Sequence, residues 1–114
     1  MNKGKNNLAI ADFTKAIELN PQFADAYYSR GIVYYEQDRY DEALADYTRA
    51  IEIEPQFAEA YFGRGLVYYY LENYEAAISE FTNAIKFNPE FAEAYHYRGL
   101  AYDEQVKMGE EISE

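Results

Sequence analysis

Apolar and small residues return along this chain at the three- and four-residue intervals of a helix. Tyr27, Gly31 and Tyr34 share one helical face, and Ala43, Tyr47, Ala50 and Ile51 share the next. The pattern predicts a first helix over 24–37 and a second over 41–54, joined at Asp38-Arg39-Tyr40, and the same pair again over 58–71 and 75–88. Acids occupy the first turns (Asp25, Asp41, Glu42, Glu59, Glu75, Glu93), where the helix dipole favours negative charge. Each proline disfavours helix at the residue before it and so ends a second helix.

The two predicted pairs are copies of one unit. Pro21, Pro55 and Pro89 are spaced by 34 residues, and Gly31, Gly65 and Gly99 keep that step, as do Arg30, Arg64 and Arg98, Tyr27, Tyr61 and Tyr95, and Ala16, Ala50 and Ala84. Residues 24–57 and 58–91 are identical at 15 of 34 positions, so an internal repeat governs the fold. Gly31 with Ala43, and Gly65 with Ala77, are small residues at fixed phase on helices that must lie antiparallel across a short turn. They let the two backbones approach. A mid-helix glycine costs about 1 kcal/mol against alanine, so its return at one phase implies that the room is needed.

Outside the two full units, residues 8–19 read as a second helix without its first, and 92–105 as a first helix without its second. The expected architecture is all-α: six helices in B-(A-B)-(A-B)-A phase, forming one domain over 1–114. Its parts are a partial repeat over 6–23, repeats over 24–57 and 58–91, a partial repeat over 92–105, and a tail over 106–114 that either starts another second helix or is disordered. A cut from a longer repeat protein explains this phase most simply.

Composition narrows the chemistry. The chain of 114 residues is 49% hydrophobic and 18% aromatic, which is enough apolar surface to fold as one unit. Its net charge of −11 repels a phosphate backbone, excludes the usual nucleic-acid footprint and would steer a basic partner. No cysteine is present and His96 is the single histidine, so neither a metal site nor another cofactor is expected. Metalloprotease, phosphate-loop, hydrolase-elbow and calcium-loop spacings are all missing, so no enzyme is expected. No signal-like or membrane-spanning apolar run occurs, so no membrane partner is expected and a cytoplasmic setting is.

Residues 24–55 contain Tyr27, Arg30, Gly31, Tyr34, Ala43, Tyr47 and Pro55, and residues 58–89 contain Tyr61, Arg64, Gly65, Tyr68, Ala77, Phe81 and Pro89. This spacing resembles the tetratricopeptide pattern W-x2-L-G-x2-Y, A-x3-F, P at a 34-residue period. The resemblance covers nearly all of 8–102. Two departures recur: tyrosine stands for tryptophan, and Arg30, Arg64 and Arg98 stand for leucine. Their stems can cover apolar surface while the guanidinium groups reach carboxylates or carbonyls, or they can meet a ligand.

The resemblance implies a right-handed superhelical stack, an α-solenoid of antiparallel hairpins, whose first helices line a concave face that receives an extended or helical segment of a partner. Carried over residue by residue, that face comprises Asp25, Tyr28, Ile32, Tyr35, Glu36, Glu59, Phe62, Leu66, Tyr69, Tyr70, Glu93, His96, Leu100, Asp103 and Glu104. Tyr28, Phe62 and His96 should form one row, and Tyr35, Tyr69 and Asp103 another. A face of rings and acids implies a scaffold for a protein or peptide with basic and apolar side chains. Members that capture the acidic C-termini of heat-shock chaperones need lysine, arginine and asparagine there, whereas Tyr28, Ile32, Phe62, Leu66 and His96 stand here. The alternative role is self-assembly: the lone first helix over 92–105 could dock on the lone second helix of another chain, giving head-to-tail homo-oligomers.

Overall fold

A computed structural model describes residues 3–113 of the chain, with side chains over 4–109. Six helices and no strand occur among them: α1 (Lys3–Leu19), α2 (Ala24–Glu36), α3 (Tyr40–Ile53), α4 (Ala58–Tyr70), α5 (Tyr74–Phe87) and α6 (Ala92–Ser113). The four interior helices begin and end within one residue of the sequence expectation. No described helix is long and apolar enough to cross a membrane.

Two kinds of turn make the stack. Within a hairpin, the Arg39 N–H donates to the Tyr34 carbonyl at 2.8 Å and the Asp38 N–H to that of Tyr35 at 3.0 Å; Asn73 and Glu72 repeat the pair on Tyr68 and Tyr69 at 2.9 and 3.0 Å. This pair of hydrogen bonds is the Schellman closure of a helix C-terminus, which needs a left-handed residue at its bend. Asp38 (φ 60°) and Glu72 (φ 64°) supply it. Between hairpins, Pro21, Pro55 and Pro89 each sit second in a four-residue turn, closed by bonds of 3.1 Å such as Phe57 N–H to the Glu54 carbonyl, a place that the fixed φ of proline suits.

The glycines of the repeat make room for rings. A β-carbon added at Gly31 would lie 2.9 Å from Cε1 of Tyr47, and one at Gly65 would lie 2.6 Å from Cε1 of Phe81. Gly63 receives the same Tyr47 ring from the far side, with Cζ 2.6 Å from an added β-carbon. Tyr47 and Phe81 are therefore gripped between successive first helices. Ala43, Ala50, Ala77 and Ala84 are fully buried beside them.

Among the described residues the first helices touch one another, α2 with α4 and α4 with α6, whereas the second helices α1, α3 and α5 do not. The stack thus bends with α2, α4 and α6 on its inner side. Its extents of 54 × 30 × 20 Å and radius of gyration of 15.4 Å exceed the about 13 Å of a compact chain this long, as growth along one axis requires.

α6 departs from the periodic expectation by running through Ser113, past position 105. One period beyond Asp38 and Glu72 stands Val106. A β-branched residue resists positive φ, so the left-handed bend is not made, and Lys107 braces the continuing helix by reaching Asp103 at 3.2 Å and Glu104 at 3.6 Å. Of the residues expected in the tail, Met108 and Gly109 lie on α6, and the side chain of Ile112 lies outside those described.

Candidate functional site

Two of the recurring arginines, Arg30 and Arg64, are clamped by the scaffold. Arg30 donates from Nε and Nη2 to the two oxygens of Asp46 at 2.8 Å each, and from Nη1 to Thr14 Oγ1 at 3.0 Å. Arg64 repeats this on Glu80 at 2.7 and 3.0 Å and on Thr48 at 3.1 Å. Each clamp ties a first helix to its own second helix and to the second helix before it. The planar guanidinium is suited to this two-pronged grip. Hydrogen bonding to Asp46 is also the main influence raising the Arg30 pKa. The Arg30 guanidinium carbon also lies over the Tyr27 and Tyr34 rings, 5.7 and 5.8 Å from their centroids.

On the inner side the expected face residues divide by burial. Asp25, Glu36, Glu59, Tyr70, Glu93, His96 and Asp103 are exposed, while Tyr28, Ile32, Tyr35, Phe62, Leu66, Tyr69, Leu100 and Glu104 are half-buried. None is sealed in the core. Tyr28 packs on Phe57 at 5.0 Å and on Tyr47 at 5.9 Å, and Phe62 packs on Phe91 at 4.9 Å and Phe81 at 5.7 Å. These rings fill the joints between repeats with one edge and present the other. His96 stands edge-on to Tyr97 at 5.6 Å, and Tyr97 links Phe62 (5.8 Å) to Tyr69 (5.7 Å).

A continuous strip of rings follows: Tyr35 to Tyr70 at 6.2 Å, Tyr70 to Tyr69 at 5.2 Å, then Tyr97. Burial, then the neighbouring Tyr70, holds the Tyr35 hydroxyl protonated well beyond the usual phenol range, and a hydrogen bond with Tyr70 raises the pKa of Tyr97. These groups are neutral donors and acceptors at physiological pH.

Beside the strip lies a hollow of about 270 Å³ lined by Tyr35, Glu36, Asp38, Tyr40 and Tyr70. A second, of about 350 Å³, is lined by Glu72, Tyr74, Glu104, Lys107 and Met108. Glu72, Tyr74 and Glu104 stand one period beyond Asp38, Tyr40 and Tyr70. The hollow is therefore a feature of the repeat joint, walled by tyrosine and carboxylate. In the second one the chain's own Lys107 is among the walls, bonded to Asp103 and Glu104; among the described residues no cation lines the first.

Sequence reasoning missed Tyr97, because position 97 breaks the period: Ser29 and Gly63 precede it. It also missed Asp38, which belongs to the hairpin turn, and Tyr40, the first residue of α3. Among the described residues no three His, Asp or Glu side chains group so as to hold a metal.

Comparisons with known proteins agree with this architecture. A family model for the TPR repeat matches residues 1–38, 33–71 and 65–106. The crystal structure of MamA superposes with a TM-score of 0.84 at 32% identity, over 96% of this chain and 60% of that one. YrrB, described as a TPR protein with an unusual peptide-binding site, gives 0.77 at 30% identity over 82% of this chain and 48% of that one. The first TPR of Spaghetti (RPAP3), bound to an HSP90 peptide, gives 0.86 at 21% identity over 91% of this chain and 82% of that one, a likeness of fold. A UDP-N-acetylglucosamine–peptide N-acetylglucosaminyltransferase of Giardia intestinalis is 44% identical over 39 residues, 34% of this chain and 3% of that protein. The chain thus spans about three-fifths of MamA and a small part of the transferase. With the repeat model matching residues 1–106, this chain belongs to the tetratricopeptide repeat family.

Proposed function

We propose that the chain is a protein-interaction module whose inner face takes a segment of another protein bearing basic and apolar side chains. The observation that carries this reading is the tyrosine and carboxylate hollow at Tyr35, Glu36, Asp38, Tyr40 and Tyr70. An ammonium or guanidinium group is attracted both to carboxylates and to tyrosine faces. One repeat on, the chain's own Lys107 supplies such a group to the equivalent walls. Apolar side chains of the same segment find Ile32, Phe62 and Leu66, half-buried on the same helices, and tyrosines give contact area at little entropic cost. The net charge of −11 favours encounter with a basic segment.

YrrB has an unusual peptide-binding site, and the first TPR of Spaghetti binds the HSP90 peptide SRMEEVD. An acidic peptide of that kind would here meet Asp25, Glu36 and Glu59, which argues for a ligand of opposite charge. Fluorescence anisotropy with labelled basic-apolar, acidic and neutral peptides tests the reading. Binding of the basic-apolar class alone, weakened by salt, is expected; binding of the acidic class alone, or of none, contradicts it.

A further inference from the structure

The two end helices carry complementary halves of a contact that the interior repeats make whole. In each full repeat a first helix offers an arginine followed by a glycine, and the second helix offers an acid followed by an aromatic ring: Arg30-Gly31 receives Asp46-Tyr47, and Arg64-Gly65 receives Glu80-Phe81. One period on, α6 bears Arg98-Gly99; one period back, α1 bears Asp12-Phe13.

Among the described residues both halves are open. An added β-carbon at Gly99 meets nothing within 4 Å. Arg98 donates to Thr82 at 3.1 Å, and among the described residues no carboxylate grips it. Because α6 continues through Ser113, its own chain moves about 22 Å away along the axis rather than folding back. On α1, Asp12 is exposed where Asp46 is 5% exposed. Ala9 and Ala16 are half-covered where their period mates are fully buried. At the edges Tyr95 is 46% exposed on α6 and Leu19 75% exposed on α1, although the corresponding Tyr61 and Phe87 stack at 5.6 Å.

We propose that α1 of a second copy docks antiparallel on α6 in the register that sets α3 against α2. Phe13 of the second copy then lies over Gly99, Asp12 grips Arg98, and Leu19 covers Tyr95. The occupant is a second copy because α1 answers α6 at every point where the interior hairpins make contact: ring to glycine, acid to arginine, apolar to ring. The seam becomes a hairpin like the others, so each copy adds three hairpins to a continuing stack. Such a contact is head-to-tail, and it grows as an open chain unless its rotation closes.

Sedimentation velocity across a concentration series tests this on the full chain. The wild-type chain should gain mass with concentration. Asp12→Arg and Arg98→Asp should each weaken association at least tenfold alone, and mixing the two variants should restore it, because each then offers the other an opposite charge at both seams. Gly99→Leu should abolish association without lowering helix content or the dilute-solution Tm, since no neighbour crowds that position within a chain. A chain that stays monomeric up to its solubility limit overturns the proposal. So does association that survives these variants, or a mixture that fails to rescue.

Discussion

Arg30 holds both oxygens of Asp46 at 2.8 Å while reaching back to Thr14 at 3.0 Å, so one side chain fastens three consecutive helices. The pair is well covered, with side-chain exposures of 18% and 7%. Removing one partner of a buried pair leaves a charge stranded. Asp46→Ala should therefore destabilise the fold by about 3 kcal/mol, and Thr14→Val by about 1 kcal/mol through one lost hydrogen bond. Urea denaturation of the variants measures both.

Gly65 and Gly99 occupy the same position of the repeat and should answer mutation oppositely. An added β-carbon at Gly65 meets the Phe81 ring at 2.6 Å, so Gly65→Ala should cost stability and Gly65→Leu should cost about 1–3 kcal/mol through overpacking. Gly99→Ala meets no neighbour and should gain up to about 1 kcal/mol of helix propensity. Thermal melts of dilute protein compare them.

The left-handed bend at Glu72 (φ 64°) should discriminate by side-chain shape. Glu72→Val places a β-branched residue where the left-handed region costs roughly 1–2 kcal/mol, and the Tm should fall. Glu72→Gly should hold the Tm or raise it. Equal effects of the two substitutions would contradict the Schellman account of the turn.

Within the inner face, Tyr35→Ala combined with Tyr70→Ala should weaken binding of a basic-apolar peptide by about tenfold, the loss of two ring contacts of about 0.5–1 kcal/mol each. Asp38→Asn should weaken it further and flatten its salt dependence. Anisotropy titrations at two salt concentrations read both effects.

Most of the fold was legible because repetition repeats the evidence. Prolines at one interval, glycines at one phase and acids at helix starts all point to the same hairpin. The clamp was only half legible. Arg30, Arg64 and Arg98 announce themselves, and Thr14, Thr48 and Thr82 keep the same step, as do Asp12, Asp46 and Glu80. Pairing them requires knowing that residues 16 apart face each other across the hairpin. The length of α6 was hidden because its cause is negative: Val106 declines a bend that Asp38 and Glu72 accept. The hollow was hidden because two of its five walls, Asp38 and Tyr40, come from the turn and the first residue of α3, while a reading of the first-helix faces sees only Tyr35, Glu36 and Tyr70.

The most direct test of the proposed inner-face interaction is an NMR titration of isotope-labelled protein with a lysine-containing apolar peptide. The account predicts shifts confined to α2, α4, α6, the first hairpin turn and Tyr40 at the start of α3, strongest at Tyr35, Glu36, Asp38 and Tyr70. Shifts confined to the outer helices α3 and α5, or none at saturating peptide, would contradict it.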